Sequence, residues 1–254
     1  MLFVGLDLAW SDRNLTGAAV IAGDAQRGSL IITQLLADDD EVIAFVQEQT
    51  GDEPALVAID APLVVPNETG RRPAEGEIGK VFARFQAGAH PANRTRLARA
   101  GIVRGEALVD RLAVLGFEHR AEVAAQAPVR QVLEVFPHPA IVSIFALDRT
   151  IKYKARPHRT YAERLAEFAR FQALLRSLEQ SEPALLDAQP LLDQPLDFPA
   201  KARLKDYEDL LDGLMCAYIA HYLWRWGMAR ARVFGTMAEG YITTPVPQAL
   251  WSPA

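Results

Sequence analysis

An aspartate inside the first apolar segment is the feature that most constrains the fold of this chain. Residues 2–8 read Leu-Phe-Val-Gly-Leu-Asp-Leu, a short and almost wholly apolar run that predicts a strand buried on both faces. A carboxylate in a buried strand is costly unless its charge is compensated, and a bound cation is one common compensation. Asp7 therefore predicts a place where other carboxylates of the chain come together.

Composition limits the class of protein. At 254 residues the chain is long enough for one large domain, and with 50% hydrophobic and 23% charged residues it has the makeup of a globular protein. The net charge of −5 argues against a protein that coats nucleic acid nonspecifically. The single cysteine, Cys216, excludes an intramolecular disulfide and a cysteine-based zinc cluster, so a cytoplasmic location is the default expectation. No apolar run approaches a bilayer-spanning length, so no membrane partner is expected.

The apolar segments of the first quarter predict a sheet that starts antiparallel. Residues 16–22 predict the second strand of a hairpin, and residues 30–35 predict a third strand. An amphipathic helix is expected to begin after Asp38, whose side chain can cap it, and to end at Gly51.

A further strand is expected to carry a second acid to the sheet edge. Residues 56–60 read Leu-Val-Ala-Ile-Asp, and the Ala-Pro that follows should end the strand, because proline cannot donate to a sheet ladder. Asp60 would then emerge at the carboxyl end of a strand, which is where ligands bind in open α/β sheets. The alternative is that Asp60 only caps a turn.

The middle of the chain has a different character. Residues 66–130 contain short helical segments punctuated by Gly, Pro and an excess of basic over acidic residues, and we expect a helical insertion over the strand ends. Residues 131–137 predict a strand with Glu134 at its centre. Residues 140–147 and 161–178 predict two helices, and the Pro-rich, acidic residues 182–199 predict a surface connection.

The clearest helix lies late in the chain and carries two further acids. Its apolar positions recur at steps of three and four, which predicts one buried stripe made of Leu204, Tyr207, Leu211, Met215, Tyr218 and Tyr222. Asp212 falls at the margin of this stripe, and Asp209 lies one turn earlier on the same flank, so both can point at a common ligand. Asp209 could equally be a solvated residue near the helix start.

The order of these acid-bearing elements resembles the ribonuclease-H-like superfamily, in particular its junction-resolving members. The chain is more closely similar to the domain-of-unknown-function 429 family, predicted nucleases of that fold. The motifs that carry this resemblance are VGLDLA at 4–9, VAIDAP at 57–62, EVFPH at 134–138, DLLDGLMCA at 209–217 and EGYITTP at 239–245. Gly213 stands where alanine is more usual in that pattern, a departure expected only to loosen the helix.

The resemblance implies an α/β protein with a ribonuclease-H-like mixed sheet flanked by helices. It also implies a nuclease that hydrolyses phosphodiester bonds of DNA or RNA with two metal ions. The catalytic residues would be Asp7, Asp60, Glu134 and Asp212, and the metal ligands would be Asp7, Asp60, Asp209 and Asp212. Mg²⁺ or Mn²⁺ is the expected cofactor, because both prefer carboxylate oxygens. A homodimer is one of the oligomeric states left open.

Basic residues are candidates for substrate binding. Arg71, Arg72 and Lys80 of the insertion could hold phosphate, and His138, between two prolines, could be a proton shuttle or a ligand. The alternatives are solvated surface arginines and a turn histidine. Glu134 could pair with an arginine instead of acting in catalysis.

Two other functions stay open at this point. An actin-like phosphotransferase shares the strand order and an aspartate on the first strand, but it needs glycine-rich phosphate loops, whereas Asp7 is followed by Leu-Ala-Trp. A noncatalytic binding protein of the same fold is the third alternative, since a fold does not establish an activity. Trp10 is expected to cover the core, with stacking on a base as its alternative.

Overall fold

The computed structural model describes residues 1–9, 14–198 and 201–252, with residues 201 and 202 described by their backbone only. The strands are β1 (Leu2–Asp7), β2 (Thr16–Gly23), β3 (Arg27–Leu36), β4 (Ala55–Asp60), β5 (Glu118–His119), β6 (Arg130–Glu134), β7 (Ala184–Leu186), β8 (Ala231–Thr236) and β9 (Gly240–Pro245). The helices are α1 (Asp39–Thr50), α2 (Pro73–Phe82), α3 (Arg94–Leu97), α4 (Arg104–Val114), α5 (Pro137–Ile144), α6 (Tyr161–Ser177), α7 (Gln189–Leu192) and α8 (Lys201–Trp226).

The first seven strands form one mixed sheet in the order β5-β6-β4-β1-β2-β3-β7, and β8 and β9 form a separate hairpin. Strands β1, β2 and β3 are antiparallel neighbours, whereas β4 is parallel to β1 and β6 is parallel to β4. The predicted α/β class, with an antiparallel start followed by parallel strands and flanking helices, is confirmed.

Strand alternation sends the two faces of the sheet to different cores. On β1, Phe3 packs with α8, whereas Val4, Leu6 and Leu8 pack with α1 and α4. Successive side chains of a strand point to opposite faces, so Asp7 shares its face with Phe3 and lies on the α8 side.

Helix α8 is buried on nearly every side rather than along one stripe. All six residues of the predicted stripe are buried, and so are residues between them, such as Leu214, Ile219 and Leu223. The helix lies across β1, β2 and β4 and is covered from the outside by α6, whose Phe168 and Phe171 belong to the same core. From Tyr207 to Trp224 the helix is buried on nearly every side, its acids Glu208, Asp209 and Asp212 included, so it forms the centre of the domain.

Glycines allow α8 to lie directly on the sheet. A Cβ added to Gly5 would be 2.0 Å from the backbone nitrogen of Ala217, and one added to Gly17 would be 1.8 Å from the backbone oxygen of Asp209. Gly213 makes the same approach from the helix side, since its Cβ would be 2.7 Å from the carbonyl carbon of Gly17. The expectation that Gly213 only loosens the helix is therefore wrong, because this position admits no larger residue at the helix–sheet contact.

Capping explains where several helices begin. Asp38 accepts a hydrogen bond from the Glu41 N–H at the start of α1, as predicted, and Thr160 with Glu163 forms a capping box at the start of α6. Helix α5 begins at Pro137, three residues earlier than expected, because proline at the first helical position has a suitable φ and needs no donor.

The expected surface connection over residues 182–199 contains regular structure. Strand β7 pairs in parallel with β3 at one edge of the sheet, and Leu185, Leu191 and Leu192 are buried. The prolines and acidic residues of this segment led to the prediction of a surface connection, although its leucines are buried. The β8–β9 hairpin was also not expected, and Trp10 lies outside the described residues. In the part of the chain that the structure describes, every helix is too short or too polar to span a bilayer.

Candidate active site

Asp7 and Asp60 are direct neighbours in the sheet. They are paired in the parallel register of β1 and β4, at the last residue of each strand. Neighbouring strands lie about 4.8 Å apart, and paired residues of parallel strands share a face, so the two carboxylates lie side by side under α8. Both residues are half-buried, and no described residue donates a hydrogen bond to either carboxylate.

Asp212 joins these two acids from helix α8 and has its own partners. It is fully buried, and its Oδ1 accepts a short hydrogen bond from the hydroxyl of Tyr153. Its Oδ2 lies 2.9 Å from Nζ of Lys154, in an ion pair. This Oδ2 accepts no hydrogen bond with good geometry from any described residue, so a buried acceptor position is left for a further cation or donor.

Burial, together with the repulsion between the acids, raises the pKa values of Asp7 and Asp60. Burial raises the pKa of Asp7 from 3.8 to about 6, and the neighbouring Asp212 adds to this effect while Lys154 opposes it. Burial, together with the charge of Asp7, raises the pKa of Asp60 well above its ordinary value. Burial alone would lower the pKa of Lys154, but Asp212 and the other acids outweigh it and hold that pKa well above the usual range. The site thus has an excess of negative charge that Lys154 only partly neutralises.

Asp209 lies close to Asp7 but has a separate counter-ion. Its Oδ1 accepts a hydrogen bond from Lys205, one turn earlier on α8, and Lys205 also pairs with Glu208 at 3.0 Å. Arg164 of α6 contacts Glu208 at 3.3 Å. Burial raises the pKa of Asp209 to about 7, against the opposing effect of Lys205. Asp209 therefore belongs to a neighbouring group of two acids and two bases.

Glu134 does not join the acids under α8. Strand β6 pairs Glu134 with Ile59, so its side chain faces the side opposite to Asp60. Both of its carboxylate oxygens bind the guanidinium of Arg72, at 2.6 and 2.9 Å, and one accepts a hydrogen bond from the Leu63 N–H at 2.8 Å. The arginine pairing that the sequence left as an alternative is the arrangement observed.

Arg72 is consequently an internal residue. It is 1% exposed, and it binds Glu75 at 2.7 Å and the Val64 carbonyl at 3.0 Å in addition to Glu134. Arg72 was predicted to bind substrate because it lies in a basic segment of the sequence. The charge of a segment does not indicate which of its arginines are buried. The two other arginine and lysine candidates, Arg71 and Lys80, are exposed on or beside α2.

A cavity of about 560 Å³ opens beside Asp60 and Lys154. Four cationic side chains line it against one acid, and they come from the loop between α5 and α6: Lys152, Lys154, Arg156 and Arg159. Residues 86–90 and Phe136 complete much of the wall. Neither Arg71 nor Lys80 lines this cavity, so the basic side chains next to the acids come from the loop between α5 and α6 and not from the predicted candidates of the insertion.

His138 is the one predicted substrate-binding residue that lines this cavity. Its Nδ1 lies 3.2 Å from the hydroxyl oxygen of Thr150. Burial, assisted by the charge of Lys154, lowers the pKa of His138 to about 3, so the imidazole is neutral at physiological pH. A neutral ring at the cavity wall is able to accept a hydrogen bond and does not add to the positive charge.

Sequence reasoning missed Tyr153 and Lys154 as site residues. Both lie in an irregular loop, where no periodicity indicates which side chain is buried. The one available signal was a tyrosine flanked by lysines in a basic stretch, which is weak.

The donor set at the site is suited to a hard divalent cation. Asp7 and Asp60 offer carboxylate oxygens without partners, and Mg²⁺ commonly binds through one or two carboxylates while keeping several waters. Across residues 1–9, 14–198 and 201–252, no three His, Cys, Asp or Glu side chains are arranged so that they could share one metal ion. The residues therefore fit an ion held by the Asp7–Asp60 pair, beside Asp212 and its ion-pair partner Lys154.

One family model matches the chain. It is described as "Protein of unknown function (DUF429)", and it covers residues 5–234, which contain every acid of the site. No curated protein and no solved structure matches the chain.

Proposed function

The chain belongs to the DUF429 family, and from this premise we propose that it is a divalent-metal-dependent nuclease acting at Asp7, Asp60 and Asp212. The observation that carries the proposal is the pairing of Asp7 with Asp60 at the ends of two parallel strands. Two half-buried carboxylates held side by side without hydrogen-bond donors are unfavourable in a folded protein unless a cation binds them.

The electrostatics of the pair support a cation-binding role. The pKa of Asp7 is raised to about 6 by burial, with the charge of Asp212 as a further contribution. Strongly raised pKa values at a cleft are more frequent in functional sites than in structural ion pairs. Mg²⁺ and Mn²⁺ are the cations that such an oxygen-only donor set prefers.

The chemistry that such an ion supplies, when bound, is Lewis-acid activation of a phosphate ester and of the attacking water. The residues of the chain have complementary tasks. Asp7 and Asp60 hold the ion, Lys154 neutralises Asp212, and Tyr153 fixes the orientation of Asp212 through its hydroxyl. No side chain of the site needs to act as a covalent nucleophile.

The basic cavity supports a polyanionic substrate. Lys152, Arg156 and Arg159 line a cavity that also reaches Asp60, so a phosphodiester backbone bound there would pass the carboxylate pair. Arg156 additionally contacts His90 at 2.9 Å, which joins both sides of the cavity. Nucleic acid, DNA or RNA, is the polyanion that fits the proposal, and a cytoplasmic location is part of it.

Cation binding and cleavage test the proposal together. The purified chain should gain thermal stability with Mn²⁺ or Mg²⁺ and should cleave at least one member of a panel of single-stranded, duplex and four-way-junction DNA and RNA. Asp7→Asn and Asp60→Asn should each lose the metal-induced stabilisation and the cleavage. Asp52→Asn, which changes an exposed acid in the loop after α1, is the matched control and should retain both.

The outcomes separate the proposal from its alternatives. Stabilisation by metal without cleavage of any nucleic acid would favour a noncatalytic binding protein. Stabilisation that requires ATP in addition to metal would favour a phosphotransferase. Full cleavage by Asp7→Asn would reject the site.

A salt titration tests which basic surface binds the phosphates. Replacing Lys152 and Arg156 by alanine should weaken nucleic acid binding and lower the slope of log K against log salt by about 1–2, since each phosphate contact contributes about 0.7–0.9. The matched double variant replaces Arg71 and Lys80, equally basic but outside the cavity, and should leave the slope unchanged. If the Arg71 and Lys80 variant lowers the slope and the Lys152 and Arg156 variant does not, the insertion is the surface that binds the phosphates.

A further inference from the structure

The ammonium group of Lys154 is the only cation of the described chain paired with Asp212. Its Nζ lies 2.9 Å from Asp212 Oδ2, and the lysine side chain, which is 29% exposed, also lines the cavity beside Asp60. A cation is therefore already present at one end of the carboxylate site.

The chain holds Lys154 at this position through its neighbours. The Thr150 N–H donates to the Phe85 carbonyl at 2.8 Å, and the Lys152 N–H donates to Glu167 at 2.7 Å. The carbonyl of Tyr153 accepts a hydrogen bond from Arg164 at 3.0 Å.

The aromatic ring of Tyr153 provides a second anchor. It packs against Phe168 and Phe171 of α6, with ring centroids 5.4 and 4.9 Å away. A loop anchored at Thr150, Lys152 and Tyr153 holds the backbone of the lysine beside Asp212, which lowers the entropy cost of forming the ion pair.

The charge balance of the site then allows one divalent ion. When a metal ion binds, Asp7 and Asp60 must be ionised, so that with Asp212 they carry three negative charges. Lys154 offsets one of these charges, which leaves −2. The adjacent acids Glu208 and Asp209 are balanced separately by Lys205 and Arg164. One divalent cation neutralises the remainder, whereas two would leave an excess of positive charge among half-buried groups.

We propose that Lys154 takes the place of a second metal ion, so that the site binds a single divalent cation on Asp7 and Asp60. This inference rests on the proposed function and departs from the two-ion site that the family resemblance implied. Lys154 is a positioning and charge-compensating residue here, and its ammonium group stays on Asp212 while the divalent ion binds the neighbouring pair.

The number of Mn²⁺ ions bound per chain tests the inference. Isothermal titration calorimetry, with free Mn²⁺ counted by electron paramagnetic resonance, should give one ion for the wild-type chain. Lys154→Gln removes the charge and keeps most of the side-chain length, and it should bind a second ion. Lys154→Arg keeps the charge and should stay at one. Lys152→Gln, the matched control, removes a charge from the same cavity without touching Asp212 and should also stay at one.

The results distinguish a failure of this inference from a failure of the proposed function. Two ions on the wild-type chain, or a Lys154→Gln variant that still binds one ion with unchanged affinity, would overturn the role of Lys154 and leave the nuclease proposal standing. No Mn²⁺ on either chain would reject the proposed metal site itself. Thermal unfolding of each variant verifies that it is folded. If a variant does not fold, the number of ions on the wild-type chain still tests the inference, because two ions would overturn it.

Discussion

Replacing Asp7 by asparagine should stabilise the metal-free protein at neutral and alkaline pH. The carboxyl has an ordinary pKa of 3.8 in the unfolded chain and a pKa of about 6 in the folded one, where burial disfavours its charge. Between these values the folded state binds more protons than the unfolded state, so stability falls as the pH rises through this window. Above about pH 6 the wild-type protein carries the full cost of the buried charge.

The size of the effect follows from the two pKa values. The difference between 3.8 and about 6 corresponds to about 3 kcal/mol, at about 1.4 kcal/mol for each pKa unit. Asparagine has nearly the same shape and no charge, so it removes this cost without leaving a hole. A gain of this size is large beside an ordinary stability of about 5–15 kcal/mol.

Urea denaturation in EDTA at about pH 4 and about pH 8 measures the effect. Asp7→Asn should unfold with about 3 kcal/mol more free energy than the wild-type chain at the higher pH and with little difference at the lower one. Saturating Mn²⁺ should stabilise the wild-type chain only, which reduces or reverses the advantage of the variant. Asp52→Asn should change the free energy of unfolding by less than about 0.5 kcal/mol at either pH.

The refuting result is equally clear. If Asp7→Asn is no more stable than the wild-type chain at the higher pH in EDTA, the carboxylate is not under electrostatic strain. The reasoning from an excess of negative charge to a cation would then lose its basis.

Two further predictions concern the packing that supports the site. Gly5→Ala should lower the free energy of unfolding by about 3 kcal/mol or more in urea denaturation, because the new Cβ would meet backbone atoms of α8 that cannot move independently. The control is Gly79→Ala in α2, where no atom lies within 4 Å of the new Cβ, and its free energy of unfolding should be unchanged or higher by up to about 1 kcal/mol. Equal effects of the two changes would contradict the close contact between β1 and α8. Arg72→Met should destabilise the protein by about 3–5 kcal/mol by leaving Glu134 buried without its partner, and a loss under about 1 kcal/mol would show that this ion pair is not needed for stability.

The strands that carry Asp7 and Asp60 could be predicted because the signal is local. Asp7 lies within an apolar run of strand length, and Asp60 ends another, where a proline two residues later marks the end of the strand. The helix with Asp212 was equally predictable, because its apolar spacing persists from Leu204 to Tyr222, over about five turns. The meeting of these acids then follows from parallel strands and from a helix packed across them.

The position of Glu134 could not be predicted in the same way. Which face of the sheet it occupies depends on the register of β6 against β4, strands separated by about seventy residues and joined by no tight turn. A shift by one residue would have sent its side chain to the side of Asp60. The local sequence therefore identified the strand and left the face undetermined.

The positions of Lys154 and of the leucines in residues 182–199 could not be predicted from the sequence for a different reason. The position of Lys154 is set by hydrogen bonds of its two preceding residues. The Lys152 N–H donates to Glu167, and Arg164 donates to the Tyr153 carbonyl, and both partners belong to a helix that follows the loop in the chain. Leu185, in β7, becomes an interior residue only because β3 offers a free sheet edge. Contacts of this kind are tertiary, and neither composition nor periodicity encodes them.

The separation of the site residues along the chain affects how the protein is made. Asp7 and Asp60 leave the ribosome before α8, because β1 and β4 precede it in the chain and many other elements lie between β4 and α8. Because α8 covers β1 and supplies Asp212, the nascent chain exposes an uncovered sheet face until α8 has been synthesised. A chaperone that binds apolar strands would therefore bind the same sheet face that α8 later covers. A chain terminated before α8 would lack Asp212, the third acid of the site.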